Sequence, residues 1–407
     1  MGEWRPILAG AIRQRAIEAL SRIAADLREP VAGQPFETAM RALLHAGLRA
    51  GGLCDDDAIA GRLVSAALDA TSACELTPWT QDGFCGVAWA LDCASRLDPE
   101  LLVEEEHPEV DAALEALVRN RAIRPELLYG LAGVGLYCVE RARLAPAREI
   151  VEEIVCRLEE CSAQDAEGRF WPVLQAMPVS RREAWQVNLG VAHGMPGIIA
   201  FLAAVQGGPA ANARAGRLLS GAVRWLLAQR RDGASFPDLV PLDGAAPLRA
   251  TRTTWCYGDG GIAPVLLNAG AIAGNERWKR EAMEVAIDAA GRQGRRAGIV
   301  DPGLCHGAAG LAQIFTRLSC DRTDPRFEGA AVRWIEDALD RELAGTGKFA
   351  SWTRAAAGAE PAPEVDTSFL TGSTGIGLCL LSAAAPVEPA WDRMLGMSVA
   401  PREGRPA

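Results

Sequence analysis

Two cysteines and two histidines stand at matching places beside a recurring pair of glycines, and their types suit a metal ion. Cys256 and Cys305 lie two residues before a glycine, in WCYGDGG and LCHGAAG; His193 and His306 lie one residue before a glycine, in AHGMPG and CHGAAG. Two thiolates and an imidazole form a soft, tetrahedral donor set, and three protein ligands leave a fourth position open, as in catalytic zinc sites. Cys256, Cys305 and His306 are therefore the expected Zn2+ ligands. Ordinary buried cysteines beside a core histidine would fit mid-helix positions better than these glycine-flanked loops. Zinc with two thiolates carries no formal charge, so a third thiolate from a substrate would make an electron-rich centre. Such a centre lowers a thiol's pKa from ~8.5 toward neutrality and leaves the sulfur nucleophilic, whereas three histidines favour activation of water.

Other groups cluster around the same motifs. Two of the four histidines fall at one register, so His193 is placed to act as a general acid or base near neutral pH. Arg252 and Tyr257 flank Cys256 in RTTWCYG, where a fixed positive charge and a donor can stabilise an oxyanion or support the zinc ligands from behind. Trp255 is expected to pack.

The elements that must position these residues follow from the glycines. Gly-x-x-Gly recurs six times, at Gly83/Gly86, Gly130/Gly133, Gly194/Gly197, Gly258/Gly261, Gly307/Gly310 and Gly372/Gly375, with first-glycine intervals of 47, 64, 64, 49 and 65 residues. Self-similarity at this period marks a repeated supersecondary unit. After each pair runs an apolar stretch such as GIIAFLAAV, then a charged segment with helical spacing such as ARAGRLLSGAVRWLLAQR. The first reads as a helix buried all round and the second as an amphipathic partner facing solvent. An open solenoid would need polar terminal repeats, yet DGFCGVAWAL and TGSTGIGLCLL are as apolar as the middle ones. The expected fold is all-α, a closed (α/α)6 toroid of six helix pairs. Residues 1–75 read as a helical segment leading into the ring, 76–395 as the ring itself within one domain, and 396–407 as a flexible tail.

Composition sets the limits. The 407 residues are 49% hydrophobic with formal net charge −10, and both nucleic acid and anionic membranes require a basic footprint that this chain lacks. No run of about 18 apolar residues occurs, and the charged amphipathic N-terminus lacks a signal peptide's apolar core. A soluble cytoplasmic protein without membrane insertion is expected. The eleven cysteines are scattered and odd in number; Cys85, Cys138 and Cys379 sit in apolar helices, where cysteine behaves as a small hydrophobe.

These strings resemble the lanthionine cyclase (LanC-like) family, which closes thioether rings in lanthipeptides. NLGVAHGMPG, RTTWCYGDGG and GLCHGAAG match its most specific motifs, and YGLAGVGLY and DTSFLTGSTGIGL its weaker ones, over residues from about 80 to 380. The resemblance implies the toroid, zinc on Cys256, Cys305 and His306, and catalytic roles for His193, Arg252 and Tyr257. It implies as substrate a dehydrated precursor peptide, leader plus core, supplied by a dehydratase partner. A peptide cysteine would add to dehydroalanine or dehydrobutyrine, with His193 protonating the enolate and Arg252 stabilising its oxygen. The family usually carries an aspartate four residues before the second repeat's first glycine, where this chain has Glu126; the extra methylene keeps the charge but moves it. Residues from about 161 to 188 are too short for the small β-containing domain some members insert and read as a long loop or hairpin near the mouth. Competing readings are thiol addition by glutathione to dehydroamino acids in proteins, a non-catalytic peptide-binding ring, and a protein prenyltransferase β-subunit. The last needs a basic diphosphate patch and an aspartate zinc ligand, which the motifs do not offer.

Overall fold

Each of the six glycine pairs opens a helix, and the helices they open are the apolar ones. The computed structural model describes residues 4–54, 58–101, 108–176, 183–231, 235–244, 252–321, 324–343, 345–352 and 363–398. Helices α4 (Phe84–Leu97), α6 (Leu131–Glu140), α8 (Met195–Gln206), α10 (Asp259–Ile272), α12 (Ala308–Asp321) and α14 (Ser373–Ala384) each begin one residue after a first glycine and are largely buried around their circumference.

The glycines are required by close approach. A Cβ on Gly194 would be driven into the carbonyl of Asn188, and one on Gly310 into that of Leu304, each six residues upstream. The chain thus folds back over the start of each of these six helices, and no side chain fits beneath the fold.

The folded-back loops are stitched to one another. The N–H of Gln81 donates to the Leu128 carbonyl (3.4 Å), Leu128 to Ala192 (3.2 Å), Ala192 to Cys256 (3.5 Å), Cys256 to Cys305 (3.1 Å) and Cys305 to Leu370 (2.8 Å). All six residues stand two places before a first glycine. The aligned register is therefore a physical ladder of backbone hydrogen bonds around one end of the ring, and it satisfies buried polar groups that would otherwise be orphaned.

The outer layer is made of α1 (Gly10–Asp26), α3 (Ala58–Ala73), α5 (Pro108–Val118), α7 (Ala145–Glu160), α9 (Ala213–Ala228), α11 (Glu276–Gly291) and α13 (Pro325–Asp340). Helix α13 shows the pattern: Phe327, Ala330, Ala331, Trp334, Ile335, Ala338 and Leu339 face inward at helical spacing, leaving a polar face for water.

The all-α toroid is as the sequence implies, but the count of six is corrected to seven among the described residues. Helix α2 (Pro35–Ala50) packs between α14 and α4 and closes the ring. Every residue from Pro35 to Leu48 is buried, which makes it an inner helix without the glycine signature. Pro35 at its first turn starts it instead. Beside the last rung of the ladder, the side chain of Glu37 on α2 accepts the Phe369 N–H at 2.9 Å.

The helices of the first 75 residues are thus ring members: α1 packs on α14, α2 is in the inner layer and α3 lies on α2. At the other terminus a 3₁₀ turn over residues 390–395 buries Trp391, Met394 and Leu395 against α4 and α6. Residues 399–407, most of the expected tail, lie outside the described residues.

The segment after α7 forms more β-structure than a single hairpin. Strands β1 (Ala163–Gln164) and β2 (Arg169–Phe170) pair antiparallel, and β3 (Pro172–Ala176) and β4 (Glu183–Asn188) pair antiparallel beside them in sequence. Strand β5 (Leu239–Pro241), from a later repeat, adds to β4. Strand β4 runs at Asn188 directly into the loop that carries His193. No helix of the described residues is long and apolar enough to cross a membrane.

Candidate functional site

All seven inner helices start at the ladder end of the ring, so their partially positive N-termini face the same opening. Anionic groups are favoured there, and that is where the cysteine and histidine motifs lie. The sulfurs of Cys256 and Cys305 and a ring nitrogen of His306 all lie within 4.8 Å of one another. Ligands at about 2.3 Å from a tetrahedral ion stand about 3.7 Å apart, so these atoms need only small shifts to share one.

The electrostatics of the cluster ask for a cation. Cys256 is drawn well below an ordinary thiol, chiefly by a hydrogen bond from Cys305, with His306 and Thr254 adding to it. Cys305 is pushed well above by the same partner and by burial. The first ionisation of the pair is easy and the second is resisted by the charge of the first. A metal ion between them removes that resistance. His306 is raised, first through its hydrogen bond with Cys256, and the nearby Asp301 also favours its charged form. Asp301 Oδ1 accepts the Gly303 N–H at 2.9 Å, while buried Oδ2, 3.2 Å from His306 Nε2, finds no aligned hydrogen-bond donor. A buried carboxylate oxygen left over beside a ligand imidazole is what a cationic centre would compensate. The residues present therefore fit a bound metal ion.

By contrast, burial drives the core thiols of Cys138 and Cys379 up to about 12. They remain protonated and serve as packing groups.

His193 lies on the adjacent loop, one residue past the rung that joins Ala192 to Cys256. Its Nδ1 is in a very short contact with the Glu126 carboxylate, so the structure brings together the two residues whose pairing the longer glutamate side chain put in question. Glu126 is buried and His193 half-buried. With Nδ1 engaged, Nε2 is the nitrogen left for other chemistry.

Tyr257 is anchored. Its hydroxyl oxygen accepts from Asn188 Nδ2 at 2.8 Å, and Asn188 Oδ1 accepts the Gly190 N–H at 2.8 Å. Burial raises its phenol, so the hydroxyl keeps its proton. Arg252 is exposed, with its aliphatic stem against Gly298, and its charge lowers both Cys305 and His306. No hydrogen bond from the Arg252 guanidinium is found among the described residues.

Three further contributors were given no role from the sequence. Asp301 and Asn188 are buried polar residues six places before a first glycine, at the fold-back of the loop. Thr254 Oγ1 lies 3.7 Å from Cys256 Sγ and donates to the Tyr257 carbonyl at 2.5 Å. The shared offset from the glycine was the sequence signal available for Asp301, and Asn188 additionally opens the string NLGVAHGMPG. Trp255 packs as expected, 1% exposed, with its Nε1–H donating to the Leu395 carbonyl at 2.8 Å.

A closed ring of helix pairs with a cysteine–cysteine–histidine cluster at its mouth defines a class, an α-toroid built around a metal-type centre. The family described as lanthionine synthetase C-like protein matches residues 43–396, and the chain belongs to that family. The fold is also similar to that of a solved nisin cyclase. The two share 17% sequence identity with a TM-score of 0.67, over 95% of this chain and 97% of that one. At that identity the likeness concerns the fold.

Proposed function

We propose that the protein is a zinc-dependent lanthipeptide cyclase that adds peptide cysteine thiols to dehydroalanine or dehydrobutyrine, forming lanthionine or methyllanthionine. The observation that carries this reading is the convergence of Cys256, Cys305 and His306 within 4.8 Å, in a chain of the lanthionine synthetase C-like family. Those three residues would hold zinc, which when bound lowers the pKa of a substrate thiol while keeping its sulfur nucleophilic.

The remaining chemistry falls to the chain. The thiol loses its proton, its sulfur forms a bond to the alkene β-carbon, and the π electrons move onto the α-carbon and its carbonyl as an enolate. Arg252 donates to the enolate oxygen, where negative charge develops. His193 delivers a proton from Nε2 to the α-carbon, and the thiol's proton restores the acid, so the reaction is neutral in atoms and charge. Glu126 holds the Nδ1 edge and so directs Nε2. Tyr257, tied to Asn188, shapes the wall beside Cys256 and can donate to a substrate carbonyl.

The substrate is a dehydrated precursor peptide, leader plus core, which a dehydratase must supply. Cys256 and Cys305 are not joined in a disulfide, and reduced thiols such as these are kept by a reducing compartment such as the cytoplasm.

The test uses protein prepared without chelators and a synthetic peptide carrying one dehydroalanine and one cysteine. Ring closure does not change mass, so the product is read as loss of alkylatable thiol by mass spectrometry. Closure with about one zinc per chain supports the reading. Addition of glutathione in preference to closure assigns intermolecular thiol addition, and zinc-free protein overturns the mechanism.

A further inference from the structure

The residue facing His193 from the neighbouring repeat is Tyr129. It occupies the same register, one place before a first glycine, that His193, Tyr257 and His306 occupy in theirs. Tyr129 and His193 also spring from one rung of the ladder, because the Leu128 N–H donates to the Ala192 carbonyl and each ring belongs to the following residue. Their rings stack, with centroids 5.9 Å apart and planes 13° from parallel. Tyr129 is nevertheless 39% exposed, unusual for an aromatic residue in a closely packed ring.

The stack supplies a restraint that Glu126 cannot. A single in-plane hydrogen bond at Nδ1 fixes one edge of the imidazole but lets the ring rock about that edge, which swings Nε2 through an arc. A flat aromatic surface against the face blocks the rocking. We infer that Tyr129 is a positioning residue for His193, its ring face and the Glu126 carboxylate together fixing the direction of Nε2 toward the reacting α-carbon. Burial, then Asp82, Glu126 and Cys305, raise the Tyr129 phenol; the ring over His193 is therefore a neutral phenol rather than a phenolate that would pair with it as a charge.

This rests on the proposed role of His193 as acid, and the experiment separates the two. The chain has four histidines, so labelling histidine Cε1 with 13C gives four imidazole signals, assigned with His193→Asn. Tyr129→Leu is expected to shift the His193 signal by removing the tyrosine ring current, and Tyr129→Phe to leave it in place. In steady-state cyclisation, Tyr129→Leu is expected to lower kcat about tenfold, or about 1.4 kcal/mol, with KM within about twofold and zinc content unchanged. Tyr129→Phe is expected to restore kcat. The inference is overturned if the His193 signal is indifferent to Tyr129→Leu, if that variant keeps its kcat, or if Tyr129→Phe is as slow as Tyr129→Leu, since the hydroxyl rather than the face would then matter. Should the wild type close no dehydropeptide, the proposed function fails, and the His193 signal alone still decides whether Tyr129 orients the ring.

Discussion

The backbone N–H of Cys256 donates to the carbonyl of Cys305 at 3.1 Å, and this one hydrogen bond explains why two thiols from residues 49 apart in sequence meet. Adjacent extended segments joined by a backbone hydrogen bond lie about 4.8 Å apart, which is the separation an ion can bridge with a small adjustment. His306 follows Cys305 on the same loop, so the third ligand arrives with the second. The centre is built from two neighbouring rungs of a ladder that runs around most of the ring, and no dedicated metal-binding loop is required.

Removing one thiol should therefore cost the metal without costing the fold. Chelator-free wild-type protein is expected to carry about one zinc per chain, as three protein ligands and an open position imply. Cys305→Ala is expected to carry almost none while keeping its helical circular dichroism, because the Cys256–Cys305 rung is made by backbone. Elemental mass spectrometry decides; full zinc in the variant would refute the ligand assignment.

Glu126 and His193 should behave as a unit. His193→Asn is expected to slow cyclisation about 10²–10⁴-fold, the usual worth of a positioned general acid, and Glu126→Gln about 10–100-fold by weakening the support behind it. The double variant is expected to be little slower than His193→Asn alone, because the glutamate acts through the histidine. Additive losses would show that Glu126 has a separate task. Glu126→Asp is expected to fall between wild type and Glu126→Gln, since this backbone is set for the longer side chain.

Much of this was legible because the signal was backbone-imposed. Glycines packed under a carbonyl six residues upstream tolerate no substitute, so they mark six of the inner helices, and their register carried the cysteines and histidines to one level. Helix α2 was missed because a proline, and no glycine pair, stands at its start. Asp301, Asn188 and Thr254 were missed because buried hydrogen-bonding residues reveal themselves only through their partners. Strand β5 pairs with β4 across most of a repeat, a register no local pattern encodes.

Glu37 makes the ring sensitive to pH. Burial, then the charge of Asp82, raises its carboxyl to about 8, well above an unfolded glutamate. Between pH 4.5 and 8 the folded chain holds a proton that the unfolded chain has released, so stability falls as pH rises. The contribution is fully present below the unfolded pKa and lost on passing the folded one. Glu37→Gln keeps an acceptor for the Phe369 N–H and has no charge to bury. It is expected to unfold like wild type near pH 4.5 and to be more stable by a few kcal/mol at pH 8.5, since each tenfold difference in proton affinity between the folded and unfolded chains is worth at most about 1.4 kcal/mol. Equal urea midpoints at both pH values would remove Glu37 as the source.

The C-terminal 3₁₀ turn should behave as part of the catalytic mouth's foundation. Asp392 is fully buried and accepts from Arg317 Nε at 2.8 Å, Arg317 Nη2 at 2.9 Å and Gln313 Nε2 at 2.7 Å. Three residues on, the Leu395 carbonyl receives Trp255, the neighbour of Cys256. Breaking a buried ion pair from one side typically costs about 3–5 kcal/mol, so Asp392→Asn is expected to lower the urea midpoint strongly. Trp255→Phe keeps most of the packing and loses a single hydrogen bond, a cost of about 1 kcal/mol. Both are expected to weaken zinc retention against a chelator, because each loosens the support under the Cys256 loop. If Asp392→Asn lowers stability but zinc is held as tightly as in wild type, the turn is a structural plug with no hold on the metal centre.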